Sequence, residues 1–205
     1  MTLVDNAVYV GGRRTANPAN LDETYELLRE RKGMAWIGLY RPDVDELRSV
    51  AREFGLHHLA VDDAIAAHQR PKLERYGNTL FAVLRPARYL DDVEKVEFGE
   101  LHVFIGPEFV VTVRHAESPD LAQVRRRLEQ TPELLRLGPE AVFYAILDQV
   151  VDEYGSLGGG AAGGHRGGGA DGERPAAPDL AVRPHVRNRV LDRPPRSRHG
   201  RRGRA

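Results

Sequence analysis

Apolar residues recur at strand or helix spacing along the chain as far as Tyr154, and then the pattern stops. Residues 155–205 hold twelve Gly, eleven Arg and many Pro, with almost no periodic apolar positions. A segment of that composition cannot bury enough surface to offset the entropy lost on ordering. The chain therefore divides into a folded domain over 1–154 and a Gly/Arg/Pro-rich tail over 155–205, which is expected to be disordered. So abrupt a loss of pattern is what a shifted reading frame after about residue 154 produces; a natural low-complexity tail is the alternative.

Charge follows the same division. The formal net charge is zero, with 30 basic and 30 acidic residues. The tail carries eleven Arg against four acids, which leaves the body nineteen basic residues against twenty-six acidic ones. An acidic body argues against a nucleic-acid partner and suits one that handles cations. There is no cysteine, which excludes disulfides, thiolate zinc sites and cysteine nucleophiles. The N-terminus lacks a basic start followed by an apolar run, so no secretory signal is expected. A spanning helix needs about 20 mainly apolar residues, whereas the longest run, from Ala141 to Leu147, ends at Asp148. No segment is expected to cross a membrane.

Within the body, residues 7–10 read as a strand closed by Gly11-Gly12. Asn20 caps a helix that ends near Gly33, and residues 35–40 form a strand. Pro42 and Asp43 open a second helix with Val44, Leu47, Val50 and Phe54 on one face, stopped by Gly55. A short helix over 59–67 follows, ending near Pro71. Strands are expected over 79–85, 96–105 and 109–113, the last two joined as a hairpin through Gly106-Pro107-Glu108. Asp120 caps a helix through Leu128, and a final helix runs from Pro139 to about Tyr154. This mixture of helices and strands predicts an α/β fold with a mixed sheet flanked by helices.

Several segments carry a resemblance. Phe54-Gly55-Leu56-His57-His58-Leu59-Ala60-Val61-Asp62-Asp63, then Gln69-Arg70-Pro71-Lys72-Leu73-Glu74-Arg75-Tyr76, resemble the cytosolic domain of CorA-type magnesium and cobalt transporters. So do Trp36-Ile37-Gly38-Leu39, Leu80-Phe81-Ala82-Val83-Leu84 and Phe109-Val110-Val111-Thr112-Val113-Arg114-His115. Tyr144-Ala145-Ile146-Leu147-Asp148 resembles the start of the family's long stalk helix. The segments occur in the family's order over roughly residues 1–154. The departures are His58 where Pro is usual, Asp62 where Glu is common, and no pore Gly-Met-Asn, only Gly33-Met34-Ala35 in another context.

The resemblance implies an α/β/α cytosolic domain that senses cations for a magnesium (and cobalt) channel and catalyses no reaction. It implies a place at the cytoplasmic side of the cell membrane, and this chain itself is expected to be soluble. By position, Asp63 matches the family's sensing aspartate, Asp62 its acidic neighbour, and Asp148 a further carboxylate on the stalk helix. Mg²⁺ is the implied regulatory ion, bound weakly, with Co²⁺ as a second. Divalent cations and identical subunits are the implied partners. The family forms a homopentamer, while this chain is expected to be mainly monomeric and unable to conduct ions alone.

Hard oxygen ligands suit Mg²⁺, and one or two carboxylates suffice when it keeps its waters. Asp62 and Asp63 are adjacent on a helix, so they point about 100° apart and need not grip one ion. Charged pairs are also ordinary solvated surface. Two further readings stay open. His57 with Asp62 and Asp63 has the donor types of a metal-dependent hydrolase, and the Arg-rich tail suits a binding module for nucleic acid or anionic membrane. Trp36 and Phe81 are expected in the core, and His102 and His115 in structural roles within strands.

Overall fold

The computed structural model describes residues 3–160. The chain starts with β1 (Leu3–Val10) and turns back through Gly11-Gly12 into β2 (Arg13–Ala16). Next comes α1 (Leu21–Glu30), capped by Asn20, whose side chain accepts from the Glu23 amide. After β3 (Met34–Tyr40) comes α2 (Val44–Phe54). Asp43 and Glu46 close a reciprocal capping box at its start, and Gly55 in the left-handed region ends it, satisfying otherwise orphaned end groups. α3 (His58–Ala66) follows, then the β4–β5 hairpin (Lys72–Tyr76 and Thr79–Leu84). β6 (Ala87–Leu90) and β7 (Lys95–Phe98) form a separate two-stranded sheet. β8 (Leu101–Ile105) and β9 (Phe109–Arg114) form the hairpin expected around Gly106. The chain then continues through α4 (Leu121–Glu129), α5 (Pro132–Leu135) and α6 (Pro139–Gly160).

Seven strands form one mixed sheet in the order β2-β1-β3-β9-β8-β5-β4. β3 and β9 are parallel neighbours, and the other pairs are antiparallel. Strand side chains alternate between faces, and β3 shows what this does. Ala35, Ile37 and Leu39 pack with Leu47 and Val50 of α2 and Ala60, Val61 and Ala64 of α3. Met34 and Trp36 pack on the other face with Val124 and Leu128 of α4 and Val142, Ala145 and Ile146 of α6. The domain is thus an α/β/α sandwich with the sheet buried between two helix layers. Trp36 and Phe81, expected in the core, are 1% and 0% exposed.

The expected single strand over 96–105 is two strands in two sheets. Gly99 lies at the break and donates to the Pro86 carbonyl at 2.7 Å. A Cβ on it would stand 2.7 Å from the Ala116 Cβ and 3.2 Å from Pro86 Cγ, so the turn is packed too tightly for a side chain. The short strands β2, β4 and β6 and the helix α5 are additional to the expected elements. α6 continues to Gly160, six residues past the expected end. Extending an established, packed helix adds one hydrogen bond per residue and avoids the nucleation penalty, which offsets the poor propensity of the glycines. The rest of the expected tail, 161–205, lies outside the described residues.

One polar cluster ties α4 to the sheet. The Arg125 side chain, 6% exposed, meets Asp5 Oδ2 through Nε at 2.9 Å. Its Nη groups donate to the Tyr9 hydroxyl at 3.0 Å and to the Trp36 carbonyl at 3.2 and 3.3 Å. The guanidinium also lies over the Trp36 ring, 4.0 Å from its centroid. Tyr9 in turn donates to Glu129 at 2.7 Å, and Arg14 joins Asp5 to Glu129.

Candidate cation site

α3 is apolar along the side that meets the sheet, where Ala60, Val61 and Ala64 are buried. Helical geometry then turns Asp62 and Asp63 outward: Asp62 is exposed and Asp63 half-buried. His57 starts the helix, its Nδ1 accepting from the Leu59 amide at 3.3 Å. Its ring stacks on Tyr76 at 4.3 Å and on His58 at 4.5 Å. Burial, then the neighbouring His58, lowers the His57 pKa.

The edge strand β4 supplies the facing wall. Lys72, Glu74 and Tyr76 alternate with Leu73 and Arg75, so the first three share a face of the strand. Lys72 Nζ lies 2.6 Å from Asp63 Oδ2 and 3.1 Å from Glu74 Oε2. The Tyr76 hydroxyl donates to Glu74 at 2.8 Å. Burial disfavours the Lys72 ammonium, but hydrogen bonds and attraction from Asp63 and Glu74 outweigh it and raise its pKa. Between helix and strand is a cleft of about 260 Å³ lined by Leu59, Asp62, Asp63, Lys72, Glu74, Arg75 and Tyr76.

Asp148 is elsewhere. It lies on α6, in the other helix layer, 3.4 Å from Arg127 Nη2. The structure brings Asp62 and Asp63 to one cleft and leaves Asp148 across the sheet from them. It also adds Lys72 and Glu74, which lie between the expected helix ending near Pro71 and the expected strand from residue 79. The available signal was the period-2 alternation of Lys72, Glu74 and Tyr76 after Pro71.

His57, Asp62 and Asp63 do not assemble as the hydrolase reading needs. Among the described residues, no group of three or more His, Asp or Glu side chains is placed to hold a metal ion. The His57 ring is instead occupied by capping and stacking. His102 is in a structural setting within β8, as expected, whereas His115 lies just past the end of β9. His102 is 0% exposed, with Nε2 2.7 Å from Glu100 Oε1, and Glu100 also pairs with Arg85 at 3.2 Å. Burial drives the His102 pKa down to about 4, against the pull of Glu100. His115 Nε2 lies 3.2 Å from the Ala64 carbonyl. Among the described residues, no helix is long and apolar enough to cross a membrane.

Residues 31–159 match the family described as CorA-like Mg²⁺ transporter protein. The chain is 38% identical over 119 residues to a putative metal ion transporter, YfjQ, of Bacillus subtilis, covering 58% of this chain and 36% of that protein. It is 27% identical over 130 residues to the cobalt/magnesium transport protein CorA of Thermotoga maritima, covering 62% and 36%. The chain thus spans about a third of the length of these relatives. Its fold is similar to that of the soluble domain of CorA from Methanocaldococcus jannaschii, with a TM-score of 0.59 at 15% identity, covering 79% of this chain and 62% of that one. That structural likeness concerns the fold alone, but the family match takes in more than half the residues, and the chain belongs to the CorA-like Mg²⁺ transporter family.

Proposed function

We propose that this domain is a divalent-cation-responsive regulatory module of a magnesium transporter, working at the cytoplasmic side of the cell membrane. Mg²⁺ is the regulatory ion, bound weakly, and Co²⁺ is a second ion of the same charge. The observation that carries the reading is the outward-facing Asp62–Asp63 pair at the α3 cleft, in a chain of this family. Mg²⁺ binds oxygen at about 2.0–2.1 Å, keeps several waters and needs only one or two carboxylates. Asp63 is the principal ligand and Asp62 an outer one.

Asp148 enters differently. Because Asp63 and Asp148 lie in opposite helix layers, an ion that uses both sits between two copies of the chain. In this reading, bound Mg²⁺ holds carboxylates of neighbouring subunits together. Its departure leaves like charges facing one another, and the subunits part. A homopentamer is the assembly proposed for the whole transporter, with this chain mainly monomeric by itself. No conduction and no catalysis are assigned to residues 3–160, whose helices include none able to cross a membrane.

The test is calorimetric titration of Mg²⁺ into the full chain beside Asp63→Asn, at cellular ionic strength and at protein concentrations high enough to favour self-association. Saturable binding that disappears in the variant is expected. Binding indifferent to Asp63→Asn, or none at millimolar Mg²⁺, overturns the reading.

A further inference from the structure

We propose that the Lys72 ammonium is a tethered competitor for the divalent ion, holding the carboxylates of Asp63 and Glu74 and so raising the concentration at which the ion binds. The inference rests on the reading above, in which Asp63 binds a divalent cation. A cationic group already joins the two elements at this cleft, since Nζ is within 2.6 Å of a carboxylate from α3 and 3.1 Å of one from β4. The register of the β4–β5 hairpin fixes this placement. Lys72 and Glu74 are two residues apart on the strand, so both face the cleft, and the Lys72 ammonium lies 5.5 Å from the centroid of the Phe81 ring on β5.

Three features suit this lysine to exchange with an ion. It carries one charge against two carboxylates, so the cluster keeps a net negative charge with Lys72 seated, and Asp62 and Arg75 at the rim offset one another. The Lys72, Asp63 and Glu74 side chains are each about a quarter exposed, so water and ions reach the contact without unfolding. A lysine ammonium is also a well-hydrated point charge on a flexible stem, able to swing out where a rigid guanidinium fork would not. A divalent ion entering here displaces Nζ and gains Glu74 as a ligand beside Asp63. The threshold concentration of the sensor is then set partly by Lys72. A structural lysine would have a different signature: its removal would weaken the fold and leave ion affinity unchanged.

The experiment is Mg²⁺ titration of the full chain in four forms: unaltered, Lys72→Met, Arg75→Gln, and Lys72→Met with Asp63→Asn. Circular dichroism confirms folding of each, with Lys72→Gln as a second variant if Lys72→Met unfolds. Arg75 alternates with Lys72 and Glu74 along β4 and also borders the cleft, so it controls for loss of a neighbouring positive charge other than the ammonium seated 2.6 Å from Asp63 and 3.1 Å from Glu74. Lys72→Met is expected to bind Mg²⁺ about tenfold more tightly, Arg75→Gln about as the unaltered chain does, and the double variant not to bind. If the unaltered chain binds through Asp63 but Lys72→Met is no tighter, or is matched by Arg75→Gln, the competitor role is wrong and the sensor reading stands. If neither the unaltered chain nor Lys72→Met shows Asp63-dependent binding, both fall.

Discussion

Replacing Arg125 with alanine tests whether the α4 layer is held by the buried guanidinium or by apolar packing alone. The side chain gives up an ion pair at 2.9 Å, a hydrogen bond to a buried hydroxyl, two to a carbonyl, and its contact with the Trp36 ring. Removing one member of a buried ion pair costs about 3–5 kcal/mol. Here the lower end applies, because Asp5 is 30% exposed and keeps Arg14 at 2.8 Å. Tyr9 likewise keeps its bond to Glu129. The expected loss is therefore about 3 kcal/mol. Arg125→Met, which refills the space over Trp36 with an apolar stem and buries no charge, should lose about half of that. The assay is urea unfolding followed by fluorescence, and it is local because Trp36 is the sole tryptophan and lies directly under Arg125. With an m-value of about 2 kcal/mol/M, the alanine variant shifts the midpoint by about 1.5 M. A shift below about 0.3 M would mean that the apolar contacts of Val124 and Leu128 hold the layer and that the polar cluster contributes little.

Two other perturbations address different parts of the fold. His102 stays neutral in the folded state down to about pH 4, while the unfolded chain protonates it below about 6.5. Its contribution is therefore complete above about pH 6.5 and lost as pH falls towards 4, a change on the order of 3 kcal/mol. Urea midpoints at pH 7 and 4.5 should show this loss, and His102→Gln should flatten it; an unchanged pH slope in the variant would refute the assignment. Gly99→Ala places a methyl group 2.7 Å from the Ala116 Cβ and should cost about 1–3 kcal/mol, read as a lower Tm. An unchanged Tm would mean that the break between β7 and β8 is not tightly packed.

The elements most legible in the sequence were those with chemistry at their ends. Asn20, Asp43 and Asp120 each cap the helix they were expected to start, and Gly55 stops α2. The β8–β9 hairpin was legible from its turn residues and from apolar runs that the sheet buries on both faces. β4 was not, because an edge strand of Lys, Glu, Arg and Tyr looks like a charged linker until β5 is beside it. The break at Gly99 left a trace that apolar content concealed. Val96 and Phe98 share one alternation phase, while Leu101, Val103 and Ile105 follow the other, and a phase slip marks a turn or bulge. For the site, the helical placement of Asp62 and Asp63 was legible, and their exposed and half-buried settings fit the charged, solvated helix surface expected as one reading. The partner Lys72 was not legible, since that contact exists only once residues 72–76 are a strand. Nor could apolar spacing show that Asp148 belongs to the opposite layer, because periodicity fixes which side of a helix is buried and not which face of the sheet it covers.

That last placement constrains any sensor built from these carboxylates. Magnesium–oxygen bonds of about 2 Å cannot span a sheet with its helices packed on either side, so Asp63 and Asp148 of one chain never share an ion. A site that uses both is completed only by association, and its apparent affinity then depends on protein concentration as well as on Mg²⁺. Lys72 meets Asp63 and Glu74 of its own chain, so the competition proposed for it needs no second copy. The two influences are therefore separable in the same titration. Under the proposed function, dilution should weaken the part of any Mg²⁺ binding that needs a second copy, whereas Lys72→Met should strengthen the part that does not.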